Sequence, residues 1–273
     1  MKAALQRLAP KLLVGPLQRF APKAATYATY DEAMADCTAR GYENDAIVRV
    51  VVEKNLRYRE KMRTQPVLRL DELRSIVGLG LARRGPELNV LDFGGGGGYH
   101  YTIANLVSSP ADRLRWNVVE TPAMARGAAP MATDALKFFD DVHAAARDLG
   151  RVDLVFVSSS ISYTREPLET LRLLAGLGAR YLHITRTPLS LHHDKLIVKQ
   201  TTWLGDNGPG PMPDGVENRQ VSCPDTAVSK AAFEAELRRS YRICAATTED
   251  RDIHRTARES LHYYGYLCER IAS

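Results

Sequence analysis

Apolar residues recur every three or four positions along much of the first third of the chain, a spacing that predicts helices. The strongest stripe runs through residues 45–62, and weaker ones run through 31–39 and 70–82. Glycine or proline follows each segment within a few residues and marks its end. The pattern predicts an N-terminal helical extension over residues 1–85, without a catalytic motif and suited to cap a ligand site or to form a dimer surface.

Residues 86–273 show a different pattern, in which short apolar runs alternate with amphipathic ones. Such alternation is typical of parallel strands connected by helices, so we predict an α/β domain. The predicted strands are 89–93, 114–120, 136–139, 152–160, 180–185, 241–248 and 262–270. The alternation stops over residues 190–228, which are rich in glycine and proline around one short strand at 196–201, and we predict an irregular insert or lid there.

Five consecutive glycines follow the first predicted strand and precede a helical pattern, which predicts a strand, a tight turn and a helix. The N-terminus of such a helix offers unpaired N–H groups to a polar or anionic ligand. A dinucleotide fingerprint needs a third glycine five residues after the first, and the three registers place Tyr99, His100 and Tyr101 there. No lysine lies near, which excludes a phosphate-binding P-loop. The alternative to a ligand-binding turn is a glycine-rich hairpin or linker.

Polar residues follow the next three predicted strands. Glu120 ends the second strand, where nucleotide-binding sheets hold the two hydroxyl groups of a ribose. A carboxylate suits that role because it has two acceptor oxygens. Asp140 and Asp141 follow the third strand, and either of them is also suited to cap the next helix. The fourth strand ends in Ser158 and Ser159, at the edge where open α/β sheets bind ligands.

The spacing Asp-x-Gly-x-Gly-x-Gly, formed by Asp92, Gly94, Gly96 and Gly98, resembles the first motif of class I S-adenosylmethionine (SAM) methyltransferases. Other stretches resemble a bacterial family of SAM-dependent methyltransferases that often accompanies polysaccharide or cell-surface glycan genes. These stretches are 27–42, 91–95, 116–120, 136–140, 158–167 and 186–188. The resemblance extends from about residue 27 to the C-terminus. It implies a Rossmann-like sheet of seven mostly parallel strands flanked by helices, with SAM as the cofactor.

The same resemblance implies roles for individual residues. The glycine turn would pass under the methionine part of SAM, and the acid before the turn would hold the polar end of the cofactor. The acid after the second strand would bind the ribose, and one of the two acids after the third strand would bind the adenine amine. The implied cofactor-binding residues are Asp92, Gly94, Gly96, Gly98, Glu120, Asp140, Asp141, Ser158 and Ser159.

Methyl transfer to a hydroxyl group requires a nucleophile in line with the sulfonium methyl and a base that removes its proton. Histidine is the usual base at neutral pH. His192 and His193 follow the fifth strand, and we predict that one of them is the base, with His100 as a positioning group. We predict no metal site at His192-His193-Asp194, because adjacent histidines seldom point the same way and no third ligand is suitably spaced.

Two residues near the strand ends are predicted to bind the substrate. Arg186 ends the fifth strand and is suited to a carboxylate or phosphate, which it can bind through two hydrogen bonds. Tyr163 lies in the polar tail of the fourth strand. Tyr99, Tyr101 and Tyr163 either face the sulfonium, since aromatic faces attract cations, or pack in the core.

Composition and charge narrow the class of protein. The 273 residues are 45% hydrophobic and 25% charged, which is typical of a folded globular protein. The net charge of +5 is spread along the chain without a nucleic-acid-binding motif, so we expect no nucleic-acid partner. The four cysteines lack metal or redox spacing, which favours a cytoplasmic protein. Residues 1–24 are basic and acid-free, which indicates a packed extension, a mitochondrial presequence or peripheral contact with an anionic membrane.

The leading hypothesis is a SAM-dependent methyltransferase that acts on an oxygen of a sugar, a glycan or another small polar acceptor, as a monomer or a homodimer. The alternative is a SAM-fold protein without catalysis that serves in assembly or regulation. A nicotinamide-dependent oxidoreductase is disfavoured by the missing third glycine.

Overall fold

The computed structural model describes residues 23–38, 41–69 and 72–271. Its helices are α1 Tyr30–Ala35, α2 Asp45–Thr64, α3 Leu73–Ala82, α4 Tyr99–Leu106, α5 Pro122–Ala128, α6 Val142–Leu149, α7 Pro167–Gly176 and α8 Lys230–Arg238. Its strands are β1 Thr26–Tyr27, β2 Glu87–Phe93, β3 Arg113–Val119, β4 Leu136–Phe139, β5 Leu154–Ser158, β6 Tyr181–Ser190, β7 Lys195–Trp203, β8 Gln220–Ser229, β9 Tyr241–Arg255 and β10 Ser260–Arg270. The basic segment predicted over 1–24 lies almost wholly outside the described residues.

Seven strands form the principal sheet, in the order β4-β3-β2-β5-β6-β10-β9. The first five are parallel, and β10 is antiparallel to both β6 and β9. Helices alternate with the parallel strands, which confirms the predicted α/β fold with a mostly parallel sheet. The strand β5 is a continuous apolar run, and residues 88–92 of β2 are buried, because helices cover both faces of the sheet.

The two faces of the principal sheet carry separate apolar cores. On one face, α6, α7 and α8 pack over a core that includes Val155, Val157 and Leu182. On the other face, α3 and α4 pack over a core built around Trp116 and Phe156. The alternation of side chains along each strand thus fixes which residues share a face with the glycine turn. Asp92 and His183 lie on the face of α3 and α4, since Trp116 and Phe156 contact them directly.

A second branch of the sheet begins at β6 and continues through β8, β7 and β1. This branch corrects the prediction of an irregular insert over residues 190–228, because β6 extends to Ser190 and β7 pairs with β8 along nine residues of register. The strand β8 gave no signal in the sequence, since its QVSCPDTAVS run contains a proline and an aspartate. Only residues 204–219 between β7 and β8 remain irregular, apart from one short 3₁₀ turn.

The loop formed by residues 204–219, called the α2-bound loop below, packs on the helix α2 rather than on the sheet. Leu204 shares an apolar cluster with Val50 and Val51 of α2. The fully buried Lys54 donates a hydrogen bond from Nζ to the carbonyl oxygen of Gly205. Burial lowers the pKa of the Lys54 amine, while Asp206 opposes that shift.

None of the helices within the described residues combines the length and the apolar character that a membrane-spanning helix needs.

Candidate functional site

The glycine turn between β2 and α4 has a backbone that only glycine adopts readily. Gly94, Gly96 and Gly98 have φ angles of 75°, 57° and 80°, all in the left-handed region. Gly98 also precedes the first turn of α4, which therefore begins at Tyr99. The alternating spacing of the motif is thus required by the path of the chain itself.

The spaces that side chains would occupy at the glycines are filled by the protein. A Cβ on Gly94 would lie 2.1 Å from the Cβ of Ser160, and one on Gly95 would lie 2.3 Å from Oδ2 of Asp92. A Cβ on Gly97 would lie 2.8 Å from the Cβ of Asn55 in α2. Close packing against α2 and the sheet therefore explains the missing side chains at these three positions. A ligand that approaches the turn must therefore contact it on a side other than these three filled spaces.

Asp92 lies beneath the turn, with none of its surface exposed. Its Oδ2 accepts hydrogen bonds from Nε1 of Trp116 at 3.0 Å and is 3.3 Å from Nδ1 of His100. Its Oδ1 is buried without a hydrogen-bond partner among the described residues. Asp92 is therefore positioned to support the backbone of the turn and has one oxygen left for a further donor.

His100 does not face the open side of the turn, in contrast to its predicted positioning role. It is 7% exposed, and its ring lies 4.6 Å from that of Phe156 and close to Asp92. His183 was predicted to be a core residue from its place inside a strand. Its ring also packs on that of Phe156, and burial together with His100 lowers its pKa to about 4. These histidines form part of the support beneath the turn.

Glu120 lies on the open side of the turn. Its Oε1 accepts a hydrogen bond from the backbone N–H of Gly96 at 2.9 Å, and its Oε2 accepts one from the N–H of Thr121 at 3.0 Å. Burial raises the pKa of Glu120 to about 7; the two N–H donors oppose this, and Asp92 and Glu43 add to it. Among the described residues, no Lys, Arg or His forms an ion pair with this carboxylate, and it retains lone pairs for a ligand.

The remaining predicted cofactor residues divide into accessible and inaccessible ones. Asp140 and Asp141 are both exposed after β4, and Asp141 also caps α6 by accepting a hydrogen bond from the N–H of Ala144 at 2.7 Å. Ser158 is buried, and its Oγ bonds Oγ1 of Thr185 at 3.0 Å. Ser159 is partly exposed and has a left-handed φ of 58°.

Two of the three tyrosines considered for the sulfonium pack elsewhere. The hydroxyl of Tyr99 donates to Oε1 of Glu72 at 2.8 Å, and the ring of Tyr101 lies 6.3 Å from that of Trp116. Tyr163 instead lies beside the strand ends, with its ring 5.5 Å from that of Tyr42. Tyr42 was not predicted to be a site residue. It lies next to the Glu120 region, since Oγ1 of Thr121 donates a hydrogen bond to its carbonyl oxygen at 3.3 Å.

Arg186 lies on a β-bulge of β6. The register with β10 advances from Tyr264–Thr187 to Tyr266–Ile184, so β6 contributes one residue more than its partner. Arg186 has a left-handed φ of 54°, which is uncommon outside glycine and recurs at functional sites. The bulge aims the guanidinium toward Ser158, whose Oγ lies 3.4 Å from its Nη2.

His192 and His193, predicted as the base, lie in the turn between β6 and β7. Their backbone N–H groups bond Oγ of Ser190, and His192 is exposed. Ser190 is four residues beyond Arg186, roughly 13 Å along an extended strand. The structure therefore does not bring these histidines to the glycine turn, because β6 continues past the other parallel strands.

A different histidine lies beside β8. Nε2 of His254 in β9 is 2.9 Å from Oδ2 of Asp225 in β8, and both side chains are buried. Asp225 is also among the groups that raise the pKa of the Tyr163 hydroxyl, after burial and Tyr42. The sequence gave no signal for this pair, because Asp225 lies in the strand that was not predicted and His254 follows a charged run.

The similarities of this chain to known proteins are similarities of fold. No protein-family model matches the chain, and none of the curated proteins matches it. It is similar to a solved S-adenosylmethionine-dependent methyltransferase from Clostridium acetobutylicum ATCC 824, with 9% identity, a TM-score of 0.46, and coverage of 80% of this chain and 98% of the other. It is also similar to the [4+2]-cyclase SpnF, with 11% identity, a TM-score of 0.47, and coverage of 74% and 81%. The sugar N-methyltransferase KedS8 from Streptoalloteichus sp ATCC 53650 has 19% identity, a TM-score of 0.39, and coverage of 71% and 86%. Similarities this distant leave the chain without an assigned family.

Proposed function

We propose that the protein is a SAM-dependent methyltransferase that methylates an oxygen of a sugar, a glycan or another small polar acceptor. The observation that carries the proposal is the contact between Glu120 and the N–H of Gly96 at the carboxyl ends of β2 and β3. It joins a glycine turn to a partly buried acid that has no cationic partner in the part of the chain that the structure describes. Ligands of open α/β sheets bind at this edge.

The available atoms fit SAM in part. The lone pairs of Glu120 suit the two ribose hydroxyls, and the exposed Asp140 suits the adenine amine. The carboxylate of Asp92 is fully buried beneath the turn, so it would act on the ammonium group through the backbone of the turn rather than by direct contact. Asp141 has one oxygen bonded to Ala144 as the cap of α6, so Asp140 is the better candidate for the amine. Ser158 does not belong to this set, because it is buried and its side chain bonds Thr185. The accessible acceptors therefore match the cofactor at two of its polar groups, the ribose hydroxyls and the adenine amine.

When bound, SAM supplies an electrophilic methyl group. The chain's own residues then hold the acceptor hydroxyl in line, exclude water and receive its proton. Tyr42 and Tyr163 are suited to exclude water, because they lie edge to face between the Glu120 region and the β6 bulge. The helical extension is proposed to act as a cap, since Asn55 of α2 packs directly on Gly97.

Calorimetry with S-adenosylhomocysteine tests the proposal. The full chain is expected to bind it, and Glu120→Ala is expected to weaken binding at least about tenfold, because two charge-assisted hydrogen bonds are lost. Glu217→Ala, at an exposed position in the α2-bound loop, is the matched control and should bind normally. Absence of binding by the unaltered protein would exclude a SAM-dependent activity.

A further inference from the structure

A cavity of about 680 Å³ opens at the amino ends of β2, β5 and β6, beside the last residue of β10. The glycine turn lies at the other end of β2, roughly 20 Å away along its seven residues. The volume is in the usual range of small-molecule sites. The charged residues that line this space, called the arginine cavity below, are Arg84, Glu87, Arg151, Asp153, Arg180 and Arg270.

The two acids of the arginine cavity are already neutralised by the protein. Glu87 pairs with Arg113 at 3.0 Å, and Asp153 pairs with Arg151 at 2.8 Å. Oδ2 of Asp153 also accepts a hydrogen bond from the backbone N–H of Asn89 at 2.9 Å. The negative charge of the wall is therefore offset without the other three arginines.

Those three arginines keep most of their positive charge. Among the described residues, no carboxylate forms an ion pair with Arg84 or Arg270. Arg180 lies 3.6 Å from Glu269, which makes a closer pair with Arg242 at 2.8 Å. All three guanidinium side chains belong to exposed residues that line one space, so an anion from solvent has access to them.

A buried tyrosine holds two of these guanidinium groups in place. Tyr181 is fully buried, and its Oη accepts a hydrogen bond from Nη2 of Arg84 at 2.6 Å and donates one to Glu269 at 3.0 Å. The guanidinium carbons of Arg84 and Arg180 lie 5.5 Å and 5.4 Å from the centre of its ring. Cation–π contacts of this kind orient both groups around one rigid ring.

The backbone brings Arg270 to the same place. Its N–H donates to the carbonyl oxygen of Arg180 at 2.8 Å. Gly178 has a left-handed φ of 73°, and a Cβ on it would lie 2.3 Å from Nη1 of Arg270. The missing side chain at Gly178 therefore leaves room for the guanidinium, which also lies near the neutral hydroxyl of Tyr241.

Helix dipoles explain only part of this positive charge. The helices α3, α6 and α7 end at this edge of the sheet, and helix C-termini carry partial negative charge that favours nearby cations. Arg84, however, directs its hydrogen bond to the side chain of Tyr181, and Arg270 ends a strand. Neither of the arginines without a carboxylate is therefore accounted for by a helix end.

We propose that the arginine cavity binds a phosphate group on a ligand with at least two negative charges. Guanidinium groups match phosphate oxygens through paired N–H donors. Three of them, carried by different elements, suit a tetrahedral phosphate better than a planar carboxylate. Among the described residues that line the cavity, none is aromatic, so it offers no surface on which a nucleobase stacks. This proposal does not depend on the methyltransferase function, because the cavity and the glycine turn lie at opposite ends of the strands.

Titration calorimetry of the full chain with pyrophosphate, at constant ionic strength, tests the proposal. We expect pyrophosphate to bind at one site and more tightly than citrate, which carries a similar charge on carboxylates. Arg84→Gln and Arg270→Gln should each weaken pyrophosphate binding about tenfold or more, because each removes a charge-assisted contact. Arg126→Gln removes an exposed cation of α5 outside the cavity and should leave the affinity unchanged. Urea unfolding shows whether each variant is folded.

A second measurement uses the unaltered protein. Phenylglyoxal modifies accessible arginines, and peptide mass spectrometry measures the rate at each position. Pyrophosphate should slow the modification of Arg84, Arg180 and Arg270 and leave that of Arg126 unchanged. This result keeps the test decisive even if a variant at the cavity does not fold.

Vesicles distinguish a free phosphate from a lipid headgroup. Sedimentation of the protein with phosphatidylcholine vesicles only when they contain phosphatidic acid, and its reversal by pyrophosphate, would assign the phosphate to a lipid. Pyrophosphate binding without sedimentation would assign it to a soluble ligand.

Three results would overturn the proposal. The first is that neither pyrophosphate nor the phosphatidic acid vesicles bind. The second is that citrate binds as tightly as pyrophosphate, since the cavity would then select charge alone. The third is that pyrophosphate binds folded Arg84→Gln and Arg270→Gln as tightly as the unaltered protein and does not protect these arginines. None of these results bears on the binding of S-adenosylhomocysteine.

Discussion

Replacing Glu120 by glutamine should stabilise the protein in a strongly pH-dependent way. The carboxylate is partly buried, no cation within residues 23–38, 41–69 and 72–271 pairs with it, and its pKa rises from 4.5 to about 7 on folding. At 1.36 kcal/mol per pH unit, that difference corresponds to roughly 3 kcal/mol of folding free energy lost when the group is ionised. Glutamine never ionises, so the variant avoids this loss.

The sign follows from proton linkage. Because the folded pKa of Glu120 lies above the unfolded value, the acid contributes most favourably below pH 4.5, and its contribution is lost as the pH rises through about 7. Glutamine has one acceptor oxygen, so one of the N–H groups of Gly96 and Thr121 loses its bond at every pH, which costs about 1 kcal/mol. The advantage of the variant should therefore grow by roughly 2 to 3 kcal/mol between pH 5 and pH 9.

Urea unfolding followed by tryptophan fluorescence at pH 5, 7 and 9 measures this difference by linear extrapolation. Glu217→Gln is the control, because this exposed acid is in the α2-bound loop, and its effect should not vary with pH. A difference between wild type and Glu120→Gln that is the same at pH 5 and pH 9 would refute the interpretation of Glu120 as a desolvated acid. The same variant should bind S-adenosylhomocysteine less tightly, so stability and ligand affinity should change in opposite directions.

Three further predictions concern packing and burial around the site. Gly95→Ala should destabilise the fold by about 3 kcal/mol or more through overpacking, because the new Cβ would lie 2.3 Å from a fully buried carboxylate. Gly80→Ala is the control, because Gly80 is on the exposed side of α3 and no atom of the described residues would lie within 4 Å of the new Cβ. This variant should stabilise the fold by roughly 0.5 to 1 kcal/mol in the same urea assay. His183 should remain neutral to about pH 4 in an NMR titration of the folded protein, so stability should fall as the pH drops from 6.5 toward 4; a folded-state midpoint near 6.5 would contradict its burial. Lys54→Met should speed limited proteolysis within the α2-bound loop, since the bond to that loop is lost, whereas Lys61→Met on the exposed side of α2 should leave the cleavage rate unchanged.

The seven strands of the principal sheet were predictable because their signals are local. Each parallel strand has its apolar residues close together in the chain, and β5, which is buried on both faces, is a continuous apolar run. The glycine turn was equally predictable, since left-handed backbone at Gly94, Gly96 and Gly98 demands glycine at those positions. Glu120 followed from its place at a strand end. For these features the sequence alone was sufficient.

The tertiary structure decided the features that depend on residues far apart in the chain. Asn55 and Ser160 fill the spaces beside Gly97 and Gly94, so packing rather than ligand approach explains the missing side chains. The β-bulge that turns Arg186 toward Ser158 arises from its register with β10. The pairing of β8 with β7 and β6 brings Asp225 to His254, although neither residue has an amphipathic context that marks it. Contacts of this kind set side-chain direction and burial, which no local pattern contains.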